Sequence, residues 1–576
     1  MPLTSVFWGI NFMGSTYFFW ELLSQGKLGL SLTEATYLLP ESFFSKGVLY
    51  TKIRMEVMKT LFFALVIASV TMSALFWFRK KKLKSTKLLR VPMALFGILF
   101  LLSTLINVTE PWLCKKTASE RACIALSRVA FHQKTTNPAI HRWSRIILPA
   151  KIDQKTEQHL LQGAKEIVAT KKPNLFLVVI DSLRADVLNS QTTPQLLSHF
   201  ASEGSFSSVS PSNCTHSSWY SIFSGAQPYF WRNQMIQPSE EGSLPIRMLK
   251  NMGYKIHLIT SQSLDPFRKK DKIFGVTRDS LTSYTGPDEL ESEKERMWAL
   301  SGRAVKSLIQ LLNQPGNDAG NAYVLALFAT HWPYALGENF EPKFTPYMKE
   351  VTVEATLAPV ENQHTLLKNR YLNSLSFVDD ALGQLFDFLK SKNQWDQSAV
   401  FVFGDHGESF QPEKPMVHCS SLESDQVMTR LLVKPPQSQH KKLRSSKRLY
   451  SSLDVFPTVF DLLGIREEHL AQFEGRSLVA EGNDDDRRPV VSLNGGKSVF
   501  GEMRIFDGEL SGFFELDGAR ALGRDLHVKE ARLVTVKRTG QPHQMIREED
   551  LRKMIRYFDE LTHPRTQQET VAQVDQ

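Results

Sequence analysis

A run of six apolar residues, Leu175 to Ile180, stops abruptly at Asp181 and the turn-prone Ser182. Such a run, rich in β-branched and aromatic side chains, suits a strand buried on both faces, and a parallel strand of that kind delivers its last residue to the edge where ligands gather. Asp181 is therefore a candidate ligand, although a carboxylate just after a strand also serves as a helix N-cap. Two further runs end in the same way. Ala322 to Ala329 leads into Thr330-His331-Trp332-Pro333-Tyr334, and Ser398 to Phe403 leads into Gly404-Asp405-His406-Gly407-Glu408. Tyr254 to Thr260 reads as another buried strand. The segments between carry helical signals: a proline-started run at Thr193, an apolar pattern from Trp219 to Gly225, Ile246 to Met252 closed by Gly253, and Tyr371 to Lys390. Strands alternating with helices predict an α/β sheet covered by helices on both faces. In such a sheet the carboxyl ends of the strands face one crevice, so Asp181, His331, Asp405 and His406 are expected to converge although they are far apart in the chain.

Two carboxylates and one imidazole make an oxygen-rich donor set with a single nitrogen, which suits one divalent cation, zinc or manganese. Gly404 and Gly407 read as turn residues around it. A nucleophile is then required. Pro211-Ser212-Asn213-Cys214-Thr215-His216-Ser217-Ser218-Trp219 crowds a thiol and several hydroxyls ahead of a helix, whose N-terminus favours negative charge. A threonine hydroxyl in contact with a cation can be activated as bound water is, but by composition alone Thr215 better suits an N-cap or a loop hydrogen bond. The stretch from Ser205 to Thr215 reads as a polar loop, with His216 facing solvent. Arg184 is expected to pair with Asp186, and Asp454, with Pro457 and Thr458 behind it, to cap a helix without chemistry.

The 576 residues are enough for two or three folded units. Leu61 to Phe78 and Val91 to Val108 hold no charged residue and approach the roughly 20 residues a membrane-spanning helix needs. Arg79 to Arg90 between them carries seven basic residues, which marks that loop as cytoplasmic. The uncharged Met1 to Trp20 reads as a first span, with no small-residue cleavage site after it. Everything beyond Val108 then lies outside the cytoplasm. The net charge of +9 owes seven positives to the one basic loop and implies no nucleic-acid partner. Of four cysteines, Cys114 and Cys123 could pair in an oxidising compartment or remain unrelated thiols. The expected organisation is a membrane anchor over 1–109 with spans at 3–20, 61–78 and 91–108, a linker and helix over 110–172 that includes the amphipathic Glu157 to Ala169, a catalytic domain over 173–475, and a C-terminal subdomain and tail over 476–576. Alternation at Val490 to Leu493, Gly512 to Asp517 and Arg532 to Lys537 predicts a small antiparallel sheet in the last of these.

Val178-Val179-Ile180-Asp181-Ser182-Leu183-Arg184-Ala185-Asp186, Asn213-Cys214-Thr215 with Tyr220 to Gly225, His331 to Tyr334, Asp405 to Glu408, and Asp454 to Gly464 together resemble the sulfatase and alkaline phosphatase superfamily over roughly residues 173 to 465. The resemblance implies an alkaline-phosphatase-like sheet. Cys214 is followed by Thr-His-Ser-Ser and not by the Pro-x-Arg that formylglycine maturation needs, so the chain looks like the membrane-anchored, threonine-nucleophile branch: lipoteichoic acid synthases, phosphoethanolamine transferases and, most similar, YejM-like proteins. By that resemblance Asp181, Thr215, Asp405 and His406 hold the metal, Thr215 is the catalytic nucleophile, and His331 and His418 bind phosphoryl oxygens or stand just outside the metal's ligands, although Met428-Thr429-Arg430 departs from the family pattern after His418. The implied protein is a multi-pass inner-membrane phosphotransferase or phosphodiesterase with its catalytic domain on the extracytoplasmic side, acting on a membrane phospholipid or envelope phosphate ester. A non-catalytic lipid-binding regulator on the same scaffold is the alternative, and a true sulfatase is disfavoured.

Overall fold

The computed structural model describes residues 146–147, 154–167 and most of 172–535, with breaks chiefly at 201–203, 229–239, 265–268, 288–299, 352–355, 357–362, 412–416, 480–487, 496–501 and 517–524, followed by four residues between 553 and 557. The expected spans at 3–20, 61–78 and 91–108 and the Cys114–Cys123 pair lie outside the described residues. Among the described residues no helix is long and apolar enough to cross a membrane.

The main sheet has eight strands: β1 Leu175–Ile180, β2 Ser205–Val209, β3 Lys255–Thr260, β4 Ser283–Thr285, β5 Asn321–Leu327, β6 Ala399–Gly404, β7 Met428–Lys434 and β8 Leu449–Ser451. Their order across the sheet is β4-β3-β5-β1-β6-β7-β2-β8. The pairings from β4 to β6 are parallel, whereas β7 runs antiparallel to both β6 and β2. β1 is central and wholly buried, which is why its sequence is continuous apolar and not alternating. Its odd residues Leu175, Leu177 and Val179 enter one core; Phe176, Val178 and Ile180 enter the other. The first core is roofed by helices that include α1 Thr215–Ser224 and α4 Val455–Leu462, and the second by α2 Leu300–Leu312 and α3 Gln363–Ser391. The sheet is thus covered on both faces, as its pattern predicts, but it is mixed.

Two strands were not legible as such. β2 lies in the stretch expected to be a polar loop. Its Phe206 and Val209 are fully buried, and Ser208 hides its hydroxyl by bonding that of Ser452 at 3.1 Å, so serine content disguises a core strand. β7 begins with the Met428-Thr429-Arg430 departure from the family pattern and supplies the antiparallel partner of β6. A second sheet, β9 Val490–Leu493, β10 Glu502–Phe506, β11 Leu510–Leu516 and β12 Val528–Thr535, is antiparallel in sequential order. The N–H of Leu493 donates to the Pro211 carbonyl at 2.9 Å, so this sheet touches the loop ahead of Thr215.

Asp454 has the structural duty expected of it, with different partners. It forms a capping box with Ser451 on the short turn Ser452–Asp454 and makes no side-chain cap bond to α4. Its carboxylate also accepts the Arg476 N–H at 2.7 Å and pairs with Arg488. Asp454→Ala should lower unfolding stability by about 1–3 kcal/mol through the orphaned buried N–H groups, with kcat unchanged at temperatures where the variant is folded. Denaturant titration and steady-state assay check both halves.

Candidate active site

Register fixes the first two carboxylates. β1 pairs Ile180 with Gly404 of β6, so Asp181 and Asp405 leave the sheet side by side, and the Asp181 N–H still donates to the Leu327 carbonyl of β5 at 3.0 Å. Gly404 and Gly407 are not in left-handed backbone; each is needed because of close approach. A Cβ on Gly404 would meet the Thr429 hydroxyl and Leu183, and one on Gly407 the carbonyl of Asp425. This differs from the turn role read in the sequence.

Helix α1 begins at Thr215, with Cys214 as its N-cap, and ends at Gly225, whose φ of 71° requires glycine. The first residue of the helix therefore stands at the strand ends, beside Asp181 and His406, where a helix N-terminus favours negative charge. The Thr215 hydroxyl donates to Asp181 Oδ2 at 3.2 Å and lies 3.0 Å from His406 Nε2. His406 Nδ1 faces the Gly407 carbonyl at 2.8 Å. A carbonyl can only accept, so the proton sits on Nδ1 and the lone pair of Nε2 points into the site, which is the orientation of a metal-ligating histidine. Ligand atoms of Asp181, Asp405 and His406 lie within 4.8 Å of one another, and all three side chains are buried.

Asp405 is the most constrained of the group. Its Oδ1 accepts the N–H groups of Ser182 at 3.0 Å and His406 at 2.8 Å, and its Oδ2 accepts the indole N–H of Trp219 at 3.1 Å. Burial and then the charge of Asp181 push the Asp405 carboxyl well above the usual carboxylate range. Burial opposes ionisation of Asp181 as well, but the imidazoles of His331, His406 and His418 and the Ser182 hydroxyl bring it below its ordinary value. Two buried carboxylates thus compete for one charge, and a divalent cation between them would let both ionise. The donor set fits such an ion.

The histidines expected at the phosphoryl group form the rim. His418 stacks on His406 with ring centroids 4.5 Å apart, and His331 stands edge-on to His418 at 5.0 Å. Between them and the ligands lies Glu408, a residue quoted in the motif but given no role by sequence reasoning. Its carboxylate accepts from the Tyr334 hydroxyl at 2.6 Å and the Ser182 hydroxyl at 3.0 Å and shares a proton with His418 Nδ1 at 2.8 Å. Burial raises Glu408 to about 7, while burial and then the neighbouring imidazoles hold His418 well below its usual value, so His418 is neutral. Ser182 is more than a turn: at φ 57° it bridges Asp181 and Glu408. His216, expected in solvent, is 4% exposed because it occupies the first turn of α1 under the site. Arg184 pairs with Asp186 at 2.7 Å and donates to the Glu408 carbonyl at 2.6 Å.

Cys214 and Cys419 form a disulfide across a sequence separation of 205. No spacing rule reaches that far; the available signal was that each cysteine adjoins a site residue, Thr215 or His418.

A sulfatase family model matches residues 173–465. The multifunctional alkaline phosphatase superfamily protein PehA of Trinickia caryophylli is 26% identical over 131 residues, which is 22% of this chain and 25% of that protein. Lipoteichoic acid synthase of Staphylococcus aureus is 22% identical over 201 residues, 32% of this chain and 26% of that enzyme. The matched part thus spans about a quarter of the length of these curated relatives. Among solved structures, the C-terminal periplasmic domain of EcEptC from Escherichia coli, in complex with zinc, aligns at 19% identity and a TM-score of 0.42, covering 55% of this chain and 92% of that domain.

Proposed function

From the premise that this chain belongs to the sulfatase family, whose model covers residues 173–465, we propose that it is a metal-dependent phosphodiesterase or phosphotransferase with Thr215 as nucleophile. The observation that carries the reading is the meeting of the Thr215 hydroxyl with Asp181 Oδ2 at 3.2 Å and His406 Nε2 at 3.0 Å, beside Asp405, at the N-terminus of a helix. Asp181, Thr215, Asp405 and His406 would hold one zinc or manganese ion. Such an ion supplies positive charge that eases deprotonation of a bound hydroxyl and stabilises negative charge on phosphoryl oxygens.

The chain's own groups do the rest. The Thr215 proton is directed at Asp181 Oδ2, a carboxylate held below its ordinary value in spite of its burial. Oγ1 bonds to phosphorus as the ester P–O bond breaks, and the leaving oxygen takes a proton from solvent and departs as the alcohol. His331 and His418 orient the phosphoryl oxygens from the rim, with Glu408 holding His418 in place. Attack on phosphorus by water or an acceptor hydroxyl then breaks the Oγ1–P bond and restores Thr215.

Sulfate-ester chemistry by the formylglycine route has no starting point here. Cys214 lacks the Pro-x-Arg context, and its sulfur is already bonded to Cys419. A disulfide between Cys214 and Cys419 supports an oxidising, extracytoplasmic compartment, in line with the spans read at 3–20, 61–78 and 91–108. An anchor of that kind holds the site near a membrane phospholipid or envelope phosphate ester and raises the effective concentration of such a substrate. The purified chain, loaded with Zn²⁺ or Mn²⁺, should hydrolyse bis(p-nitrophenyl) phosphate and release nothing above background from p-nitrophenyl sulfate. Sulfate turnover without phosphodiester turnover would overturn the reading.

A further inference from the structure

The disulfide lies where chemistry and structure meet. Cys214 is the N-cap of α1 and the residue before Thr215; Cys419 is the residue after His418. Cys214 is fully buried and Cys419 partly so. Non-covalent bonds reinforce the same joint. The Cys419 N–H donates to the Asn213 carbonyl at 2.9 Å, and the Asn213 amide donates to the Ser421 carbonyl at 2.8 Å. Asn213 also accepts the Gly495 N–H at 2.9 Å, which ties the joint to the end of β9. On its other side the His418 segment is held to the ligand strand, where Ser409 and Val417 exchange two backbone bonds of 2.9 Å and His418 meets Glu408 at 2.8 Å. His418 is therefore slung between the end of β6 and the nucleophile loop, and the second attachment is covalent.

We propose that the Cys214–Cys419 disulfide is a positioning clasp that fixes the nucleophile Thr215 relative to His418, so that the site is assembled for turnover only in the oxidised chain. The inference rests on the functional reading above. Its consequence is that activity is coupled to location: the chain is latent while its thiols are reduced and becomes competent where they oxidise. Cys214 and Cys419 act through Thr215 and His418 and touch no reacting atom. A clasp of this kind acts on geometry, and misplacing reacting groups by about 1 Å costs on the order of 100-fold in rate.

The test uses the full chain with saturating Zn²⁺ or Mn²⁺ and bis(p-nitrophenyl) phosphate, at a temperature where every form is folded by circular dichroism. A water-soluble trialkylphosphine opens the bond: sulfur is reduced, phosphorus is oxidised to the phosphine oxide with oxygen from water, and the two protons of that water end on the two thiols. The oxidised, reduced and reoxidised proteins are compared with a Cys214→Ser/Cys419→Ser variant, which assigns the effect to this pair. The expected result is a fall in kcat of about tenfold or more on reduction and in the variant, a smaller change in KM, retained metal, and recovery of kcat on reoxidation. A disulfide that serves stability alone would lower the melting temperature and leave kcat of the folded protein unchanged, and that outcome overturns the clasp. If the variant does not fold, the reduced and reoxidised protein decides. Absence of turnover in the oxidised protein would instead sink the functional reading, and the clasp with it.

Discussion

Thr215→Ala is expected to abolish phosphodiester turnover while the protein stays folded. Removal of a nucleophile whose partners are intact costs on the order of 10⁴-fold to 10⁶-fold in kcat, because the remaining groups can only assist direct attack by water. The fold should tolerate the change. Thr215 is the first residue of α1, its hydroxyl bonds toward Asp181 and His406, and the helix keeps its Cys214 start and Gly225 end. Circular dichroism and the melting temperature should match the parent while kcat collapses. Thr215→Ser, which keeps the hydroxyl, should retain a measurable part of the rate, whereas a variant lacking the hydroxyl at parental rate would show that another group makes the bond to phosphorus.

The second large effect concerns the cation. Chelation should remove activity, and added Zn²⁺ or Mn²⁺ should restore it. Asp405→Asn should bind metal at least 100-fold more weakly, on the order of what supporting residues alone contribute. The reason is local: an amide can still accept from the Ser182 and His406 N–H groups, but its NH₂ would then face the Trp219 indole N–H, and the ligand charge is gone. The pH dependence follows from the same carboxyl. Burial and Asp181 raise Asp405 well above the usual range, so without the cation it carries a proton that binding must displace. Metal affinity should therefore rise with pH through that elevated value, with proton release on binding. The sign for stability is the reverse: a raised carboxyl makes the metal-free protein less stable as pH climbs from the ordinary carboxylate range through the raised one, and metal offsets that loss. Calorimetric titration at several pH values in buffers of different ionisation enthalpy measures both.

How far the sequence speaks can be traced residue by residue. Asp181, Asp405 and His406 were legible because a buried parallel strand announces itself as a continuous apolar run, and such strands share a carboxyl edge. The helix was legible from Trp219 to Gly225 by its apolar spacing, but its first turn at Thr215 reads as loop, and the sequence leaves that hydroxyl open between cap and nucleophile; its place beside Asp181 and His406 supports the proposed attack. β2 escaped because buried serines that bond one another look like solvent-exposed serines in a one-dimensional reading. Glu408, Tyr334 and Ser182 escaped for a related cause: their worth lies in bonds to one another across separations of up to 226 residues, and no periodicity encodes that. The Cys214–Cys419 disulfide joins residues 205 apart, a separation no spacing rule spans, whereas Cys114 and Cys123, the two that proximity in sequence brings together, lie outside the described residues.

Bond formation between Thr215 and phosphorus can be observed by trapping the intermediate. The metal-loaded protein is quenched in acid shortly after mixing with a phosphodiester, digested, and the peptide holding Thr215 is read by mass spectrometry. One phosphoryl adduct is expected on Thr215, forming within a turnover and disappearing as substrate is exhausted. Sustained turnover with an unmodified Thr215, or an adduct on another residue, would contradict it.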